Sequence, residues 1–173
     1  MAPTPVLDVR DLNTSFLTPA GEIRALRDVS LSVGAGEILG LVGESGSGKS
    51  ITGFSINGLL SPPGQVMGGE VRLHGENLLG KGPEEMRRIR GRKIAMIFQD
   101  PMMTLNPVLR IETQMRDALA AHETLPPAEA RRRCVAALDQ VGIPAPAERL
   151  KGYPHQLSGG MRQRVAIAIA LLH

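Results

Sequence analysis

One octapeptide carries the clearest chemistry in this 173-residue sequence: Gly43-Glu44-Ser45-Gly46-Ser47-Gly48-Lys49-Ser50. It fits the phosphate-loop pattern G-x-x-x-x-G-K-[ST] at every defined position. The glycines let the backbone curl so that successive N–H groups point at phosphate oxygens, and a helix beginning near Gly48 adds its positive end. Lys49 would reach the β- and γ-phosphates, and the Ser50 hydroxyl would be a Mg²⁺ ligand. A ligand-free glycine-rich turn is disfavoured, because a strand-like apolar run precedes the motif and a helix-like segment follows it.

A second candidate anion site follows near residue 160: Leu157-Ser158-Gly159-Gly160-Met161. Ser158 stands where an N-cap belongs, ahead of a helix predicted for residues 160–172. An exposed helix N-terminus of this kind binds anions. Taken in isolation, the motif is equally well explained as a capping serine followed by a Gly-Gly turn.

The elements that must position these motifs alternate between strand-like and helix-like patterns. The predicted strands are 6–12, 23–33, 37–42, 70–74 and 93–98. The predicted helices are 49–60, 83–92, 108–122, 128–141 and 160–172. Residues 37–42 and 93–98 are nearly continuous apolar runs, which are typical of parallel strands buried on both faces. The order predicts an α/β fold with a helical insert after Pro101.

Composition excludes several classes of function. A formal net charge of +3 and an aromatic content of 2% give little basis for binding nucleic acid. Cys134 is the single cysteine, so no intrachain disulfide can form, and we expect a reducing compartment and a buried thiol in a helix. The N-terminus does not resemble a signal peptide, and the most apolar stretch, residues 165–172, is too short to span a bilayer.

The second motif, continued by Arg162-Gln163-Arg164, resembles the signature motif of ABC-type ATPases. Phe98-Gln99-Asp100 resembles the Q-loop of that family, and Phe16 falls where its adenine-stacking aromatic residue is expected. Three longer segments are similar to the ATPase subunits of oligopeptide, dipeptide and nickel importers. These are residues 97–102, 105–108 and 153–164, the last including the branch-typical Met161.

The resemblance implies a P-loop NTPase fold, the ABC-type nucleotide-binding domain, with a helical subdomain and truncated before the Walker B strand. It places an ATP-binding core at 1–99, a helical subdomain at 100–156, and the signature motif with its helix at 157–173. The implied cofactors are ATP and Mg²⁺, with Ser50 and Gln99 toward the metal and Gln99 in a supporting catalytic role. The implied nucleotide-binding residues are Phe16, Gly43, Glu44, Ser45, Gly46, Ser47, Gly48, Lys49, Ser50, Ile51, Gln99, Ser158, Gly159 and Gly160.

The resemblance also implies partners. Two such domains pair head to tail, so a second ATP-binding subunit is expected, together with transmembrane permease subunits and, indirectly, a solute-binding protein. The chain would then lie at the cytoplasmic face of the plasma membrane. Residues 99–113 would form part of the groove that receives a permease helix, with Met102, Met103 and Leu105 as flexible docking residues. The alternative is that these three pack inside the helical subdomain.

The sequence lacks one part of the family's catalytic equipment. Members of the family continue into a strand that ends in Asp and Glu, followed by a switch histidine. The 173 residues contain no Asp-Glu dipeptide, and His173 is too close to the signature motif to be that histidine. We therefore expect a truncated product or fragment that binds ATP without hydrolysing it. The alternatives are a non-catalytic nucleotide-binding protein that pairs with an intact subunit and, less favoured, a soluble ABC protein of repair or translation.

Overall fold

The structure is a computed structural model that describes residues 4–100 and 104–173. The chain divides into two compact units, Met1–Met86 and Arg87–His173. In the first unit, four antiparallel strands form one sheet in the order β2-β1-β3-β4. Their bounds are β1 Leu7–Thr18, β2 Gly21–Val33, β3 Gly64–Leu73 and β4 Glu76–Asn77. Two helices complete this part of the chain: α1 Lys49–Asn57 and α2 Pro83–Ile89, the second of which runs across the division.

The central strand β1 pairs along its length with β2 on one side and β3 on the other. Its register shifts between Val9 and Leu12, where Asp11 adopts a φ of 47°. Opposite this irregularity lies Gly69, where a Cβ atom would stand 2.5 Å from the Asp11 carbonyl oxygen. The close approach of the two backbones explains why glycine is needed on β3 at this point.

Helix α1 packs against this sheet, and a polar contact lies within the packed surface. The Thr14 hydroxyl of β1 and the Ser55 hydroxyl of α1 are 2.9 Å apart, and both residues are fully buried. The apolar core residues of this unit are Val9, Leu12, Leu26, Ile56, Val71, Leu73, Leu78 and Met86. The sheet and α1 therefore form a core that positions the segment immediately before α1.

The second unit is helical. Its elements are α3 Ile111–Ala120, α4 Pro127–Gln140, α5 Pro146–Arg149, a 3₁₀ turn at Pro154–Gln156, and α6 Gly159–Ala170. The core of the unit is formed by Leu105, Ile111, Met115, Leu119, Ala130, Cys134, Ala137, Leu138, Ile143, Leu150, Leu157, Val165, Ala168 and Leu172. Cys134 lies on α4, as predicted, and burial raises the pKa of its thiol to about 11.

Two predicted strands are not strands in the structure. Residues 37–42 and 93–98 form no ladder within the described ranges, and the second run has only an isolated parallel bridge between Arg90 and Ile94. Ile38 and Val42 are 96% and 94% exposed. A parallel strand needs a neighbour to satisfy its N–H and C=O groups, and the described strands pair only with one another. Residues 37–42 and 93–98 are rich in apolar residues, but the prediction that they form paired strands was wrong.

The remaining predicted elements are present with shifted ends. The first predicted strand extends six residues further, to Thr18, and the helix predicted for 49–60 ends at Asn57, where Gly58 caps it with a φ of 61°. Among the residues that the structure describes, no helix has the length and apolar character required to cross a membrane.

Candidate functional site

The phosphate-loop motif forms an exposed turn that ends at the first residue of α1. Ser47 donates its backbone N–H to the Glu44 carbonyl oxygen at 3.2 Å, which closes the turn. Gly46 and Gly48 adopt φ values of 83° and 90°, a region that glycine occupies without strain. The sequence pattern therefore produces the curled backbone that its chemistry requires.

Lys49 reaches back across this loop. Its Nζ atom donates to the carbonyl oxygens of Gly43 and Glu44, at 2.8 and 2.5 Å, and to the Ser47 hydroxyl at 3.1 Å. The ammonium group is thus held against the first two residues of the motif and Ser47. These three acceptors are neutral, so an anionic phosphate oxygen would accept a stronger hydrogen bond from the ammonium group than any of them.

Two glycines of the loop stand where a side chain would collide with neighbouring atoms. A Cβ atom on Gly43 would stand 2.7 Å from the Ser47 hydroxyl, so a side chain there would fill the loop. A Cβ on Gly48 would stand 2.8 Å from Leu26 Cδ2 and 3.2 Å from the Ala25 carbonyl oxygen. Gly43 therefore allows the Ser47 side chain to lie against it, and Gly48 allows the loop to approach β2.

The N-terminus of α1 completes this donor set. Gly48 is its N-cap and has no side chain to accept hydrogen bonds from the first turn. The first amides of a helix have no intrahelical acceptor, so those near Lys49, Ser50 and Ile51 can bind an anion. The Ser50 residue is exposed beside them. Thr52 faces the other way: its hydroxyl donates to the Gly48 carbonyl oxygen at 3.0 Å and it is buried.

The predicted second anion site has the helix geometry that its sequence indicated. Ser158 is the N-cap of α6, and its Oγ accepts from the Met161 N–H at 3.3 Å. Gly159 and Gly160, the first two helical residues, are exposed and have open space where a Cβ would be. The first two residues of α6 therefore present backbone alone.

Residues on both sides of Ser158 hold this helix start in place. In the 3₁₀ turn, the Tyr153 N–H donates to Gln156 Oε1 at 2.9 Å, and Arg162 Nε donates to the Pro154 carbonyl oxygen at 2.8 Å. Gln163 Nε2 donates to the Phe98 carbonyl oxygen at 3.4 Å, directly before Gln99. The segment 153–164 contains Tyr153, Gln156, Arg162 and Gln163, but nothing in their spacing predicts the contacts that they make.

The other predicted site residues take these places. Gln99 is exposed in the second unit. Phe16 lies half-buried on β1, opposite Ile23 on β2 and Gly64 on β3, and its ring leaves no room for a Cβ on Gly64. Lys49 and Ser50 belong to the first unit, and Gln99 and Ser158 belong to the second.

The predicted docking region divides in a similar way. Met102 and Met103 lie outside the described residues, and Leu105 is 2% exposed within the helical core, as in the alternative interpretation. A pocket of about 460 Å³ lies beside α3 and α4, and Arg110, Thr113, Arg116 and Asp117 are among its lining residues. No three side chains of His, Cys, Asp or Glu come together as a metal site in ranges 4–100 and 104–173.

The sequence pattern that describes the family "ABC transporter" matches residues 26–173. The chain belongs to the ABC transporter family. It is 47% identical over 167 residues to the oligopeptide transport ATP-binding protein OppD of Escherichia coli K12. The matched region covers 96% of this chain and 49% of that protein. It is 48% identical over 168 residues to the dipeptide transport ATP-binding protein DppD of Bacillus subtilis 168, covering 96% of this chain and 50% of that protein.

Solved structures of ABC transporter proteins have the same fold. A dimeric bacterial ABC transporter cassette, MJ0796, superposes with a TM-score of 0.83 at 28% identity, covering 96% of this chain and 69% of that one. A second structure of MJ0796, also dimeric, is bound to ADP and Pi. The predicted fold class and importer resemblance are therefore confirmed; ABC cassettes bind nucleotide and form dimers. The chain spans about half the length of the curated relatives it matches.

Proposed function

We propose that this chain forms the nucleotide-binding part of the ATP-binding subunit of a peptide importer. The observation that carries the proposal is the position of Lys49 Nζ, which lies within hydrogen-bonding distance of three oxygens of its own loop. The peptide class comes from the relatives, which are oligopeptide and dipeptide transport proteins.

The nucleotide that this loop would bind is ATP with Mg²⁺. Lys49 and the amides at the start of α1 would hold the β- and γ-phosphates, and Ser50 would be the Mg²⁺ ligand from this loop. Mg²⁺ held by Ser50 would supply positive charge that neutralises the phosphate oxygens. As the family resemblance implies, Gln99 would lie toward the metal with a supporting catalytic role, and Phe16 would stack on the adenine. The proposed subdomains are 1–99, 100–156 and 157–173.

The partners follow from the second anion site. Ser158, Gly159 and Gly160 would face the γ-phosphate held by a second ATP-binding subunit, so each subunit would complete the other's site. The permease subunits would hold the pair at the cytoplasmic face of the membrane, with a solute-binding protein acting through them. The expectation that these 173 residues alone do not hydrolyse ATP stays a prediction.

The test is ATP binding by titration calorimetry to the chain and to its Lys49→Ala variant. Loss of the charge-assisted contacts should weaken binding by about 1.5–3 kcal/mol. Lys151→Ala is the matched control, because this exposed lysine lies in a loop of the second unit. Equal ATP affinity of wild type and folded Lys49→Ala would contradict the proposed site.

A further inference from the structure

One side chain of α6 contacts the backbone that leads into Gln99. Gln163 is half-buried on this helix, and its Nε2 donates to the Phe98 carbonyl oxygen at 3.4 Å. Gln99, the next residue, is exposed. Both partners of the hydrogen bond lie in the second unit, although 65 positions separate them. The backbone immediately before Gln99 is therefore tied to α6 through this amide.

The segment that receives this hydrogen bond is extended but is not part of a sheet. Along residues 94–99 the even-numbered side chains are half-buried and the odd-numbered ones are exposed. Such alternation is typical of extended backbone. In the part of the chain that the structure describes, these residues form no ladder, and Ile94 has only the isolated bridge to Arg90. Gln163 therefore gives the Phe98 carbonyl a hydrogen bond that no neighbouring strand provides.

The neighbours of this glutamine hold it in place on α6. Arg162 Nε donates to the Pro154 carbonyl oxygen at 2.8 Å, and Arg164 Nη1 donates to the Gly142 carbonyl oxygen at 3.0 Å. Val165, the next residue, is fully buried in the helical core. The amide that contacts Phe98 is thus carried by a part of α6 that is fixed to the rest of the second unit.

The other end of the same amide indicates that packing alone does not explain this glutamine. Gln163 Oε1 is buried and accepts no hydrogen bond from the residues that the structure describes. A buried acceptor without a donor lowers stability, whereas leucine, which has a similar size, would bury no polar atom at this position. Glutamine differs from leucine here by the hydrogen bond that it donates to Phe98.

We propose that Gln163 is a positioning residue for Gln99. Its amide holds the Phe98 carbonyl against α6, and this contact orients the backbone of Gln99, which follows directly. An effect of Gln163 on Mg²⁺ or ATP would pass through Gln99, so that part of the proposal rests on the proposed function. The orientation of the Gln99 backbone by α6 does not rest on it.

Backbone order at Gln99 tests the positioning role directly. By ¹⁵N relaxation, Gln163→Leu should lower the Gln99 order parameter from about 0.85, typical of rigid backbone, to below about 0.6. The midpoint of urea unfolding and the order parameters of α6 should stay at their wild-type values, because leucine removes the unpaired acceptor together with the donor. Gln140→Leu is the matched control, since Gln140 is an exposed glutamine at the end of α4, and it should leave Gln99 rigid.

Three results would overturn the positioning role. These are a mobile Gln99 in the wild-type chain, a rigid Gln99 in Gln163→Leu, and a loss of order along the whole of α6, which would indicate a general structural role. If Gln163→Leu does not fold, Gln163→Glu takes its place, because an ionised carboxylate of the same length cannot donate to the Phe98 carbonyl.

The path through Gln99 has its own measurement, calorimetric titration with ATP in the presence of Mg²⁺. Gln163→Leu should weaken binding about fivefold, the equivalent of one hydrogen bond, and should have no effect in a Gln99→Ala background. An equal loss in both backgrounds, or no loss in either, would overturn this path. Failure of the proposed function is recognised separately, as unchanged ATP affinity in Lys49→Ala, and the order of Gln99 then still decides the positioning role.

Discussion

Two segments of the first unit have strand-like sequences, and only one of them is a strand. Strand β1 is paired on both sides and places Val9 and Leu12 in the core, at 1% and 0% exposure. Residues 37–42 are more continuously apolar, yet Ile38 and Val42 are almost fully exposed. The difference lies in the backbone, because β1 has two antiparallel neighbours and 37–42 has none in the described ranges. Apolar content indicates a tendency to be buried, whereas a strand requires partners.

The phosphate loop joins the unpaired segment 37–42 to helix α1, which packs on the paired strands. Its leading side continues from the exposed residues 37–42, and its trailing side enters α1, which packs on the sheet. Gly48 lies close to β2, since a Cβ on it would stand 2.8 Å from Leu26 Cδ2 and 3.2 Å from the Ala25 carbonyl oxygen. The loop therefore owes its described position to the antiparallel sheet and α1.

The largest expected effect comes from the paired segment. Leu12→Ala should lower the free energy of unfolding by about 2–5 kcal/mol, because it leaves a cavity in the sheet–helix core. Urea unfolding followed by circular dichroism measures it. Leu17→Ala on the same strand, where the side chain is 43% exposed, should cost far less. Similar losses in both variants would show that β1 does not face a core as described.

The next effect tests the point where the loop meets the sheet. Gly48→Ala should cost about 1–3 kcal/mol, because it combines a positive φ with a Cβ 2.8 Å from Leu26. Gly46→Ala separates these causes, since Gly46 also has a positive φ but open space around its Cβ position. The same unfolding measurement should rank Gly48→Ala as the more destabilised. The reverse order would mean that the loop does not rest on β2.

The smallest effect is expected in the unpaired segment. Ile38→Thr should change the unfolding free energy of the 173-residue chain by less than about 0.5 kcal/mol, because its side chain loses no buried contact. Val71→Thr, which places the same new side chain at a fully buried position, should cost more than about 1 kcal/mol. A large loss in Ile38→Thr would show that 37–42 is covered in solution, and sedimentation at several concentrations would show whether self-association covers it.

The sequence predicted what local chemistry decides. The positive-φ glycines of the loop, the Ser158 cap and the helix beginning at Lys49 follow from residue types over a few positions, and the structure confirms their geometry. The order of sheet and helical regions also followed from periodicity. Pairing was not predictable in this way, since whether 37–42 and 93–98 become strands depends on partners distant in sequence.

Contacts between residues that are distant in sequence could not be predicted from the motifs either. Glu123 and His173 are separated by 50 positions, and sequence reasoning treated His173 only as a residue too close to the signature motif to be catalytic. The contact between Gln163 and Phe98 spans 65 positions. No spacing rule links such residues, because the fold alone brings them within hydrogen-bonding distance.

The buried hydroxyl pair of Thr14 and Ser55 has a consequence for how α1 can move. Apolar contact is non-directional, so it fixes the position of one surface on another less sharply than a hydrogen bond does. A slide of one helical turn here would separate the two hydroxyls and leave each without a partner in an apolar layer, at about 1–3 kcal/mol apiece. The hydroxyl pair therefore opposes translation of α1 along the sheet. The helix that carries Lys49 and Ser50 is therefore held at one position along β1.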